Sequence, residues 1–242
     1  MYYPLVTIGL APILIAQGRR VRRDTIRLPE AEGQRHGERG DGERLRVLIV
    51  GDSAAAGVGA THQDHALSGR LTMALSARFN VSWRLLATTG HTTAEVIKQL
   101  ESAEPAPVDI VVTSVGVNDA TAGTSTSQWL QQQQQLLDIL HQRFEARHIM
   151  MTALPPMQVF PALPQPLRWY MGLRAARLNK ALSSLLQNVP HAELVTPRFP
   201  LELAYMAEDG FHPGPLAYAL WAEQMAEAIC RRLDAGAAET CC

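Results

Sequence analysis

Five short apolar runs, each followed by a helix-patterned stretch, constrain this 242-residue chain more than any other feature. The runs lie at 46–50, 81–87, 110–114, 148–153 and 193–195, and the helix-patterned stretches at 66–79, 92–102, 127–145, 174–186 and 215–233. The dense β-branched and apolar content of the runs suggests burial on both faces, which is the condition of strands in a parallel sheet. Parallel neighbours cannot be joined by tight turns, and a helix after each strand supplies the right-handed crossover they require. The pattern predicts an α/β chain, a three-layer α/β/α sandwich with a five-stranded parallel sheet. Pro215 suits the first turn of the last helix, where its missing N–H costs least. Leu216, Leu220, Trp221, Met225 and Ile229 recur there at core spacing. The glutamines at 131–135 are flanked by Trp129, Leu130, Leu136, Leu137 and Leu140, so they read as the polar face of a helix.

Open sheets of this kind bind ligands beyond the carboxyl ends of their strands, and reactive residue types collect there. Asp52-Ser53 follows the first run. Gly90 follows the second and precedes a helix opened by Thr92 and Thr93, Gly116-Val117-Asn118-Asp119 follows the third, and Asp209-Gly210-Phe211-His212 lies downstream. A serine hydroxyl is a weak nucleophile until a base takes its proton, and that base works best when a third group holds its tautomer. An acid and an imidazole three residues apart can share one loop. Acyl transfer also needs donors aimed at a developing oxyanion; a glycine N–H and the Asn118 amide are suitable donors. Each part alone has a plainer reading: Ser53 as a helix cap, Asp209 as a turn residue, His212 as a surface histidine. Their joint occurrence favours the catalytic reading.

These four blocks, in this order, resemble the SGNH (GDSL-type) hydrolases over residues 45–233. The resemblance implies a flavodoxin-like sheet and an esterase or lipase. It casts Ser53 as nucleophile, His212 as general base and Asp209 as its orienting acid. The Ser53 N–H, the Gly90 N–H and the Asn118 side chain would form the oxyanion hole. It implies no metal and no organic cofactor. Ala54 stands where the family name implies leucine, and Val117 where a second glycine is frequent; neither replaces a functional atom. There is no G-x-S-x-G, so the strained elbow of the α/β-hydrolases is not expected. The expected reaction is hydrolysis of a small carboxylic ester with a short- to medium-chain acyl group, through an acyl-enzyme. The same parts serve a thioesterase, a lysophospholipase, a carbohydrate acetylesterase or an acyltransferase, and a non-catalytic binding module is the alternative from another class.

Composition narrows the remaining choices. A formal net charge of −1 with 19% charged residues offers no electrostatic case for nucleic acid. Cys230, Cys241 and Cys242 make no disulfide framework; Cys230 reads as a core hydrophobe and the terminal pair as a frayed tail. His62 and His65 lack a third ligand at metal spacing and read as loop residues. Asp52 and Asp119 read as loop-holding acceptors of backbone N–H groups. The domain organisation expected is an amino-terminal segment and linker over 1–44, a hydrolase domain over 45–236 and a tail over 237–242. Residues 1–16 are apolar and uncharged, and Arg19, Arg20, Arg22 and Arg23 follow. As a helix the apolar run would reach about 24 Å, short of the roughly 30 Å hydrocarbon core. A secretory leader carries its positive charge before the apolar run rather than after it. Two expectations follow: a peripheral membrane contact through residues 1–23, with the domain on the cytoplasmic side, or a helix packed on the domain. Residues 30–43 read as an exposed charged linker. The proline-rich stretch at 154–170 is a candidate wall for an acyl pocket. The oligomeric state is not set by the sequence.

Overall fold

The five expected strands and one more form a single sheet. In chain order they are β1 (His36–Arg39), β2 (Glu43–Gly51), β3 (Phe79–Ala87), β4 (Ile110–Ser114), β5 (His148–Thr152) and β6 (Ala192–Val195), arranged β1-β3-β2-β4-β5-β6. The computed structural model describes residues 3–200 and 202–240, so the start of the apolar run and the Cys241-Cys242 pair lie outside the described residues. β2 to β6 run parallel, as their two-sided burial requires, and β1 pairs antiparallel with β3. The sheet is therefore six-stranded and mixed rather than five-stranded and parallel.

The added strand lies inside the expected linker. His36-Gly37-Glu38-Arg39 has no apolar signature, because an edge strand exposed on one side is held by backbone bonds and profits from charge. The linker reading fails at Glu30 as well: its carboxylate accepts the Thr89 N–H at 2.7 Å and pairs with Arg35.

The helices are α1 (Tyr3–Asp24), α2 (Leu67–Leu75), α3 (Thr93–Ser102), α4 (Val117–Ala122), α5 (Thr126–Arg143), α6 (Leu167–Leu186) and α7 (Pro215–Thr240). Side chains alternate across the sheet. Leu48, Val50, Val111, Ile149 and Met151 join a core with α3, α5 and α6, whereas Val47, Ile49, Ile110, Val112 and Met150 join one with α2 and α7. Three layers result, with both sheet faces buried. Three helices depart from expectation at their ends. α2 stops at Leu75 rather than 79, and Phe79 opens β3 instead. α6 starts at Leu167 rather than 174, immediately after Pro166, and its Gly172 is packed tightly enough that a Cβ would meet the Gln158 side chain at 2.5 Å. α7 continues past 233 to Thr240. α1 packs on the domain: Leu14 is buried, Leu10 and Val21 lie against the same core as α6, and the Gln17 amide donates to Gln165 O at 2.7 Å and accepts the Leu167 N–H at 3.1 Å. Among the described residues no helix is long and apolar enough to cross a membrane.

Chain order reverses at β2, with β3 on one side and β4 on the other. Connections leave in opposite directions there, opening a crevice between the carboxyl ends of β2 and β4.

Candidate active site

Ser53 stands in that crevice, two residues beyond the last residue of β2 and 9% exposed. Its loop is fixed by backbone bonds: Asp52 N–H donates to Ser114 O of β4 at 2.9 Å, Ala56 N–H to Asp52 O at 2.9 Å and Val58 N–H to Ser53 O at 3.0 Å. The Asp52 carboxylate accepts the Ala54 N–H at 3.1 Å, the loop-holding role expected of it. Burial drives the Asp52 carboxyl up to about 7 against the Ala54 N–H and the opposing charge of His212, with Asp119 adding to the rise.

The second half of the site arrives on the loop before α7. His212 Nε2 lies 2.9 Å from Ser53 Oγ, and His212 Nδ1 lies 2.5 Å from Asp209 Oδ2. The other carboxylate oxygen accepts the Phe211 and His212 N–H groups at 2.9 and 3.0 Å, so the acid is anchored to the backbone of the base it orients. Burial pushes the Asp209 carboxyl up, but the bonds from the His212 ring and from the His212 and Phe211 N–H groups outweigh it and hold the carboxyl below its ordinary value. An ionised carboxylate only accepts, so the ring proton belongs on Nδ1 and Nε2 turns a lone pair to the serine hydroxyl.

Gly90 and Asn118 follow β3 and β4 on the same edge of the sheet. Gly90 has φ +86°, which a glycine adopts without strain, and a Cβ there would enter open space. Among the described residues neither the Ser53 N–H nor the Gly90 N–H has an acceptor. Buried backbone donors are nearly always paired, so the Ser53 N–H is a donor with capacity for a ligand. Asn118 donates one amide N–H to His91 O at 2.9 Å, which ties the third block to the second and leaves its other N–H available. The His91 carbonyl thus holds the Asn118 side chain.

The support beneath Asn118 is largely what sequence reasoning missed. Asp119 accepts the Thr93 N–H and hydroxyl, both at 2.9 Å, and Gln133 Nε2 donates to the same hydroxyl at 3.1 Å. Burial raises the Asp119 carboxyl against these Thr93 bonds. Gln133 is therefore no part of a polar outer face; it is 1% exposed. It lies four residues after Trp129 and four before Leu137, on the inward stripe of α5, and that spacing was the available signal. The loop expected at His62 and His65 is instead a 3-10 turn that His62 caps and His65 ends, the His62 ring accepting the Asp64 N–H at 3.2 Å. Between them Gln63 is buried and bonds Ala31 O, Ala56 O and Ser68, so this connector is a built element of the domain.

A cavity of about 570 Å³ opens at Ser53 and His212. Leu154, Pro155 and Phe160, from the proline-rich loop expected to wall a pocket, line one part. Phe199 and Met206, from a segment carrying no sequence signal, line another. The volume lies in the ordinary range for small-molecule sites.

Comparison with known proteins gives a consistent result. The model of the GDSL-like Lipase/Acylhydrolase family matches residues 49–220. The GDSL-like esterase Rv1075c of Mycobacterium tuberculosis is 29% identical over 214 residues, 81% of this chain; the chain spans 66% of that relative's length. Among solved structures, a lipolytic protein of the G-D-S-L family from Veillonella parvula superposes with a TM-score of 0.60 at 15% identity, covering 77% of this chain and 99% of that one. The psychrotrophic esterase EstA of a Pseudoalteromonas species does so with 0.58 at 19% identity, covering 78% and 98%. At these identities the superpositions speak for the shared fold.

Proposed function

We propose, for a chain that belongs to the GDSL-like lipase/acylhydrolase family, that it hydrolyses carboxylic esters through an acyl-enzyme on Ser53. The observation that carries this reading is the continuous relay from Ser53 Oγ to His212 Nε2 at 2.9 Å and from His212 Nδ1 to Asp209 at 2.5 Å. Ser53 Oγ attacks the ester carbonyl carbon while its proton passes to His212 Nε2. The carbonyl oxygen becomes an oxyanion, held by the Ser53 N–H, the Gly90 N–H and the free N–H of Asn118. The C–O bond to the alcohol then breaks, and the alcohol leaves with the proton from His212. Water attacks the acyl-serine, gives a proton to His212, and the acid departs as Ser53 Oγ recovers that proton. The apolar cavity takes the acyl chain. Each methylene it buries is worth about 0.8 kcal/mol, so kcat/KM should rise by up to about fourfold per carbon until the cavity is filled. A panel of p-nitrophenyl esters of graded chain length tests this, with thioesters of the same acids as a parallel series. A flat profile, or hydrolysis that persists in Ser53→Ala, contradicts the proposal. The reading extends to peripheral contact with anionic membrane through α1, whose Ile13 and Ile15 are exposed.

A further inference from the structure

A second cavity, of about 620 Å³, lies beneath α1, walled by α1, α4 and the first half of α6. It meets the site at two residues. Phe211 lines both cavities, and Asn118 lines this one. Its wall carries three guanidinium groups, Arg19, Arg22 and Arg174, and no carboxylate.

The basic string on α1 is divided by partner. Arg20 and Arg23 pair with Asp24, at 3.3 and 2.7 Å. Among the described residues Arg19 has no hydrogen bond or ion pair. Arg22 donates to Thr121 O at 3.2 Å, and Arg174 donates to Thr124 O while its Nε is buried without a partner. Among the described residues the three arginines that face the cavity are thus without a paired anion. Gln17, bonded at both amide atoms to the chain entering α6, fixes the helix that carries two of them. A concave wall bearing one sign of charge concentrates its field and draws counter-ions. Guanidinium groups match phosphate oxygens in planar, two-point contacts better than they match any neutral alcohol.

We infer that this cavity is the leaving-group subsite and that the alcohol it accepts carries a phosphate group. The inference rests on Ser53 as the nucleophile. A carbonyl held at Ser53 and Asn118 has two substituents that part there. The hydrocarbon chain enters the apolar cavity, and the alcohol passes Asn118 and Phe211 to lie beneath α1 against Arg19, Arg22 and Arg174.

The test compares two esters of one short-chain acid, an acylglycerol and the corresponding acylglycerol phosphate, on the full-length protein. The phosphate ester should have kcat/KM higher by about tenfold or more, and added salt should reduce the difference. In the double variant Arg19→Ala/Arg22→Ala the ratio between the two esters should fall toward unity; because both are measured on one preparation, partial misfolding cannot imitate that result. Glycerol 3-phosphate should inhibit hydrolysis of the neutral ester, and less so in the double variant. Equal rates on both esters, or a ratio unchanged in the variant, would overturn the inference while leaving the Ser53 reading in place. Inhibition by inorganic phosphate as strong as by glycerol 3-phosphate would overturn the leaving-group assignment by showing a site for a free anion. Hydrolysis of neither ester would remove the Ser53 reading itself.

Discussion

Asn118 donates one amide N–H to the His91 carbonyl at 2.9 Å. The proposed reaction gives the other N–H an oxyanion to meet. Asn118→Ala should therefore lower kcat by about 10²–10³, the usual cost of one oxyanion donor, with KM little altered. Steady-state kinetics check this, and an unchanged kcat would take Asn118 out of the site. Asp52 makes a different prediction, about stability. Its folded-state value of about 7 lies above the ordinary aspartate value of 3.8. Between those values the folded chain keeps a proton that the unfolded chain releases, so this residue makes stability fall as pH rises across that window. Asp52→Asn removes the effect, and its Tm relative to the parent should climb from pH 4 to pH 7. Asp209 works in the opposite sense, since its carboxyl is held down, and its contribution is lost as pH falls through the depressed value. The proposed reacting residues stood out in the sequence because chemistry restricts their type: only a few side chains can attack, accept a proton or stabilise an oxyanion. Gln133 was harder to read. A buried glutamine looks like its four neighbours in a run of glutamines, and only helical phase sets it apart.

At the scale of elements, legibility followed burial. β2, β4 and β5 carry aliphatic side chains to two cores and declare themselves as apolar runs. β1 is held to β3 by backbone bonds, which leave no trace in residue type; Gly37, over which the Trp83 ring lies so closely that a Cβ would meet it at 2.5 Å, is its one structural mark. α1 shows the converse. Its apolar composition was plain, but composition alone does not separate a helix that packs from one that meets lipid. The structure shows Leu10, Leu14, Gln17 and Val21 meeting the domain at helical spacing, while Ile13 and Ile15 are 48% and 55% exposed. Removing residues 1–24 should thus have two consequences. Tm should fall, because Leu14 and the Gln17 bonds are lost. Co-sedimentation with anionic vesicles should also fall, each basic residue near such a surface being worth on the order of 1 kcal/mol. Equal co-sedimentation of both forms would leave α1 a purely structural helix.

Across the whole molecule, the sheet decides where chemistry can occur. Reversal of strand order at β2 opens the crevice, and separate segments after β2, β3 and β4 and before α7 carry Ser53, Gly90, Asn118 and the Asp209–His212 pair. The alternation of runs and helices announced this architecture. The two cavities did not announce themselves, because they are made by segments far apart in sequence: the stretch around Phe199 and Met206 for one, and α1 against α4 and α6 for the other. The central claim is that this arrangement activates one serine. A fluorophosphonate probe tests it most directly, since such a probe reacts with a serine only when a neighbouring base draws off its proton. Intact-mass and peptide analysis of the labelled protein should show a single adduct, on Ser53, and none in Ser53→Ala. Labelling that survives in Ser53→Ala, or none at all in the parent protein, would contradict the account.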